Sequence, residues 1–129
     1  MDMNQIIVEV GNFDQSVDFY QRLGFKLIVS ARDEYARFEL PSGSATFSII
    51  LSENPNPGAS VIYLEVDDVD ATYAKLIEGG VVFDAAPENQ SYRWRTAPFK
   101  DPSGNRFCLY HAGLDRRFPP WRVETNSNE

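Results

Sequence analysis

A chain of 129 residues, 43% of them hydrophobic, has the length and composition for one well-buried core and not for several. Its formal net charge of −7 argues against a nucleic-acid partner, which needs a basic face, and no apolar run reaches the length of a membrane span. The opening MDMNQII carries no basic stretch ahead of an apolar one, and the single cysteine, Cys108, has no partner for an internal disulfide, so a cytoplasmic protein is expected.

In chain order, Ile6, Val8 and Val10 alternate with Gln5, Ile7 and Glu9, which predicts a strand with two different faces. Asn12 to Asp14 supply helix-capping side chains, and Phe13, Val17 and Tyr20 follow at helical spacing until Gly24 ends the helix. FKLIVSA, YARFEL and ATFSIIL then read as three strands, separated by Arg32 to Glu34 and by the turn Pro41-Ser42-Gly43. The unit is βαβββ. Ser52 to Ser60, with two prolines and a glycine, reads as a linker. A second unit follows: VIYLEV, a helix from about Asp70 to Glu78 closed by Gly79-Gly80, then VVF, SYRWRTAPF and RFCLYH as strands. The organisation is one domain over 1–112, with a first module of about 1–52, the linker at 52–60, a second module of about 61–112, and a C-terminal tail over 113–129. The RRFPPWRV part of that tail is apolar enough to pack, whereas VETNSNE is expected to project freely.

The two units are copies. Gln5 to Leu27 lies without a gap over Val61 to Phe83, matching Ile6 with Ile62, Glu9 with Glu65, Asp14 with Asp70, Tyr20 with Leu76 and Gly24 with Gly80. The Pro102-Ser103-Gly104 turn echoes Pro41-Ser42-Gly43. In each copy the helix buries its apolar stripe on one sheet face. Ile6, Val8, Val10 and Ile62, Leu64, Val66 therefore face the helices. Gln5, Ile7, Glu9 and Val61, Tyr63, Glu65 take the opposite face.

The segments VGNFDQSVDFYQRLGFKL, VDDVDATYAKLIEGGVVF and FKDPSGNRFCLYH, in that order, resemble the vicinal oxygen chelate superfamily of glyoxalases, bleomycin-resistance proteins and extradiol dioxygenases. The resemblance covers nearly all of the chain up to His111. It implies an α+β fold in which two βαβββ modules with curled mixed sheets form a shared cleft, with helices on the outer face and a homodimer as the usual assembly. Enzymes of this family hold a divalent metal with one side chain from each of four strands. Carried over by position, these fall on Gln5, on Phe47 or Ser48, on Val61 and on Cys108. Gln5 alone is of a type that the family uses, and Phe47 and Val61 cannot coordinate anything. His111 lies three residues past Cys108, which strand alternation sends to the other face. The expectation is a member with a degenerate metal site, holding no metal and no cofactor.

Two constellations remain. Glu9 and Glu65, equivalent by the repeat, could divide acid and base roles or hold a cation; a solvated mouth is the favoured explanation of both. Tyr63 and Tyr110, with Tyr92, Trp94 and Trp121 as candidates to join them, offer aromatic faces for flat or cationic molecules. Asp101 and Asn105 have a complete explanation as turn formers, and Cys108 reads as a small buried residue rather than a nucleophile. Arg93, Arg95, Lys100, Arg106, Arg116, Arg117 and Arg122 form a late basic stretch, either a solvated edge or a surface for an anionic group or a second subunit. The first reading is a small-molecule binding protein of the bleomycin-resistance kind. Gln5, Glu9, Tyr63, Glu65, Trp94, Cys108 and Tyr110 would line the ligand site of a homodimer with no nucleic-acid or membrane partner. The alternatives are a lyase, isomerase or dioxygenase using a displaced metal or Glu9/Glu65 chemistry, and a non-catalytic interaction module working through the PPW tail.

Overall fold

The structure, a computed structural model, describes residues 1–124; the free end expected of VETNSNE falls from residue 125 onward outside the described residues. Both copies fold from the same local rules. The first module runs β1 (Gln5–Val10), α1 (Phe13–Arg22), β2 (Lys26–Ala31), β3 (Tyr35–Glu39) and β4 (Thr46–Leu51). The second runs β5 (Val61–Glu65), α2 (Val69–Glu78), β6 (Glu88–Asn89), β7 (Arg95–Lys100) and β8 (Arg106–His111), followed by a 3-10 turn at Gly113–Arg116. Asn12 and Asp68 cap the helices, accepting from Gln15 N and Ala71 N at 3.0 Å each. Gly24 and Gly80 end them with φ of 92° and 93°, a conformation that a Cβ would strain.

Each module makes one four-stranded mixed sheet, in the orders β1-β4-β3-β2 and β5-β8-β7-β6, with β1 parallel to β4 and β5 parallel to β8. The alternation holds as expected: Ile6, Val8 and Val10 pack into the core with Ile62, Leu64 and Val66, while Ile7 and Tyr63 are about half exposed on the opposite faces.

Two expectations need correction. The sheets do not curl around a shared cleft. They are two separate open sheets, with no ladder between them among the described residues, and β1 and β5 each stand at a sheet edge. The modules meet instead on the helix side, where one aromatic core crosses between them. Tyr20 lies 4.7 Å from Phe47 and 5.9 Å from Phe107, and Phe99 stacks on Phe107 at 5.3 Å, centroid to centroid. Second, VVF is not a strand, and SYRWRTAPF becomes one only at Arg95. Phe83 keeps a single bridge to Phe99, and Asp84 N donates to Pro98 O at 2.8 Å. That carbonyl faces the outer edge, and so would the N–H that proline lacks, so the ladder fails there.

The join between modules is polar as well as aromatic. Tyr20, fully buried on α1, donates its hydroxyl to Asp101 Oδ2 at 2.6 Å in the turn between β7 and β8. Asp101 also accepts from Ser103 N, Asn105 N and Asn105 Nδ2, and the same Asn105 Nδ2 reaches Glu9 O at 2.8 Å. Gly11 N donates to Ser103 Oγ. Burial, reinforced by the neighbouring carboxylate, pushes the Tyr20 hydroxyl well above its ordinary range, so it keeps the proton that it donates to Asp101. Tyr20→Phe leaves one carboxylate oxygen short of a partner in a closed site and is expected to cost about 1–3 kcal/mol, read by urea unfolding. An unchanged midpoint would show that the bond adds nothing to the join.

Candidate functional site

The two open sheet faces carry different chemistry at equivalent positions. On the second sheet, Tyr63 on β5 stands opposite Cys108 on β8, and Glu65 opposite Tyr110. Tyr63 meets Trp94 and Tyr110 edge-on at centroid distances of 5.6 and 5.3 Å, Trp94 lies 4.8 Å from Tyr110, and Tyr92 lies 5.5 Å from Trp94. Tyr110 and Cys108 are buried beneath, while Tyr63 and Tyr92 stay more than two-fifths exposed. A half-open cavity of about 250 Å³ is lined by Val61, Tyr63, Tyr92, Thr96 and Cys108, with the Asp84–Lys100 pair at its rim. Trp121 has no ring partner in this cluster among the described residues. It and Phe118 are more than half exposed, so the RRFPPWRV segment buries neither of its large rings; Arg122 and Arg117 lie over the Phe118 ring instead.

On the first sheet the same face is polar. Gln5 Nε2 donates to Ser48 Oγ at 2.7 Å, Ser48 Oγ bonds Tyr35 OH at 2.8 Å, and Arg37 Nε donates to Tyr35 OH at 3.0 Å. Burial works against ionisation of Tyr35, but the Ser48 and Arg37 bonds outweigh it and hold its pKa below the ordinary value. Phe47 is in the core and Ser48 on the open face, so Ser48 occupies the position left ambiguous by the sequence.

Tested as a metal centre, the residues do not fit. Both ends of the Gln5 amide are engaged, Oε1 by Thr46 and Nε2 by Ser48. Val61 offers hydrocarbon, and burial pushes the Cys108 thiol up, away from the thiolate that a metal or a nucleophilic role requires. Among the described residues no three of His, Cys, Asp and Glu stand together in a way that could hold an ion. His111 Nδ1 sits 2.8 Å from Val66 O rather than beside Cys108.

The two glutamates have separate duties. Glu9 Oε1 accepts from Asn56 N of the linker at 3.0 Å. Glu65 Oε2 accepts from Ala112 N and Gly113 N at 2.8 and 2.9 Å, with Arg116 and His111 each 3.8 Å away. The late basic residues are largely matched: Arg95 grips Asp70 through two 2.7 Å bonds, Lys100 meets Asp84 and Arg93 meets Asp115.

Comparison with known proteins agrees with this architecture. The sequence model of the glyoxalase/bleomycin resistance protein/dioxygenase superfamily matches residues 2–109. The chain belongs to that superfamily. Within it, the uncharacterized protein YraH of Bacillus subtilis (strain 168) is 30% identical over 125 residues, covering 85% of this chain and 98% of YraH. The crystal structure of a bleomycin resistance determinant encoded on the transposon Tn5 superposes with a TM-score of 0.72 at 23% identity, covering 88% of this chain and 100% of that one. A bleomycin-binding protein complexed with bleomycin superposes with a TM-score of 0.69 at 22% identity, covering 86% and 98%. At such identities these two structures establish the shared superfamily fold. Among the described residues no helix is long and apolar enough to cross a membrane.

Burial opposes ionisation of Glu65, but the Ala112 and Gly113 N–H groups, with His111 and Arg116 alongside, hold its carboxyl below its ordinary value of 4.5. The anchoring of the tail is therefore complete above pH 4.5 and is lost as pH falls through the lowered folded-state value. Glu65→Gln is expected to cost about 1 kcal/mol at neutral pH, the exposure of the pair discounting the charge, and to flatten the acid limb of stability. Thermal melts of both proteins across the acid range check this; identical acid limbs would refute it.

Proposed function

We propose that this superfamily member is a metal-independent small-molecule binding protein that acts by sequestration. The observation that carries this reading is the cluster of Tyr63, Tyr92, Trp94 and Tyr110 on an open sheet face, with two of its rings exposed. Aromatic faces at right angles to one another suit a flat or cationic organic ligand, held by stacking and cation–π attraction. The Glu65 carboxylate, engaged by two backbone N–H groups, is a poor candidate for acid–base work, so binding is favoured over catalysis. The solved relative that holds bleomycin supports the same choice of ligand chemistry.

The half-open cavity of about 250 Å³ is smaller than the pockets that enclose drug-sized ligands. Exposed Val61 and Tyr63 lie beside that cavity on the second sheet's open face, and a homodimer would cover them and complete the enclosure. Sedimentation is expected to give a dimer.

Equilibrium dialysis with bleomycin and a panel of flat cationic aromatics, followed by quenching of Trp94 fluorescence, tests the binding claim. Tyr63→Ala and Trp94→Ala are each expected to weaken the best binder about tenfold. No binding above background across the panel would overturn the proposal.

A further inference from the structure

The open face of the first sheet, which the aromatic reading does not use, has a proton count that leaves one donor over. Thr46, Gln5, Ser48, Tyr35 and Arg37 form one continuous hydrogen-bonded chain across β1, β4 and β3. Gln5 Nε2 enters it as a donor on one side and Arg37 Nε as a donor on the other. The two hydroxyls between them carry one proton each, and a single hydrogen bond joins them, so one hydroxyl proton is left over. Ser48 is fully buried, and an outward proton there would have nowhere to go. Ser48 therefore donates to Tyr35, and the Tyr35 O–H is the spare donor.

Arg37 adds to it. Its Nε is held by Tyr35, which fixes the plane of the guanidinium, and its terminal N–H groups have no acceptor among the described residues. Glu39, two residues along on the same strand face, makes no ion pair with it among the described residues, and Glu9 is turned to Asn56. Across the ladder Arg37 lies between Ser48 and Val29, and Ile7 lies beyond Ser48. Ile7, Val29 and Ile50 are all exposed. At its centre the face thus presents a spare hydroxyl donor and the guanidinium N–H groups of Arg37 left unpaired among the described residues, with Glu39 and Lys26 opposite each other in the ladder at one end and exposed apolar side chains around.

We propose that this face binds an organic carboxylate, gripped side-on by the Arg37 guanidinium and by the Tyr35 hydroxyl, with the apolar body of the ligand over Ile7, Val29 and Ile50. Fork-to-fork pairing of guanidinium with carboxylate supplies both the strength and the orientation. Two strand positions at which the family recruits a cation, Gln5 and Ser48, here belong to a chain that favours an anion.

The test is a titration of the ¹⁵N-labelled protein with 1-naphthylacetate and with its neutral isostere 1-naphthylacetamide. The carboxylate is expected to bind about tenfold more tightly than the amide and to shift the Arg37 Nε–H resonance. Arg37→Met should erase that preference while leaving amide signals away from the face in place, and Tyr35→Phe should reduce it. Equal affinity for the two probes, no detectable carboxylate binding, or a preference that survives Arg37→Met would overturn the proposal. Quenching of Trp94 by cationic aromatics can fail while the Arg37-dependent preference stands, so the two readings fall separately.

Discussion

The carboxylate of Asp101 is the point on which the arrangement of the two modules turns. It is buried and accepts from a helix of the first module, from two backbone N–H groups of its own turn, and from the Asn105 amide that also holds the end of β1. A buried carboxylate is tolerated only when its lone pairs are met, so Tyr20, the turn and β1 must come together for any of them to be satisfied. That requirement brings the helix-side core of both modules into one cluster. The opposite sheet faces are then left uncovered, which is where Ile7 and Tyr63 lie about half exposed.

Duplication explains why those two faces can be compared residue by residue. In the ladders, Ile7, Ser48 and Arg37 form one row of the first sheet, and Tyr63, Cys108 and Pro98 form one row of the second. The backbone slots are the same, and the chemistry has parted. Ser48 relays a hydrogen bond where Cys108 is buried and held in its thiol form. Arg37 projects a charge where Pro98 removes a donor and opens the sheet edge. Asymmetry between copies, not either copy alone, separates a polar face from an aromatic one.

The periodicities of 2 and 3.6 made most of the elements and the assignment of sheet faces readable, because both depend only on neighbouring residues. The packing of the modules was not readable on that basis. Tyr20 aligns with Leu76 as an apolar position, and nothing local to it reveals that its hydroxyl is needed by a turn 81 residues away. Asp101 looked complete as a turn former because its two backbone bonds are local, while its other oxygen serves the first module. The failure of VVF as a strand has its cause at Pro98, across the sheet. Arg37 was missed for a related reason: its contact with Tyr35 follows from strand alternation, but its place beside Ser48 depends on the register of β3 against β4. Alternation counted outward from Ser48 and Tyr35 was the one available signal.

The charge of the whole protein does not decide which ligand sign each face prefers. A net charge of −7 favours cations at long range, yet at physiological salt that field is screened beyond about 8 Å. Within that distance the local donors and acceptors govern. On the second face, ring quadrupoles attract a cation without contributing a formal charge. On the first, an arginine fixed by a tyrosine, beside a hydroxyl proton with no internal acceptor, must either point its N–H and O–H groups at water or at an anion. Water can take those bonds singly; a carboxylate can take them together while its apolar body covers Ile7 and Ile50. The preference thus arises from the summed geometry of donors on three strands, which no single residue in the chain would announce.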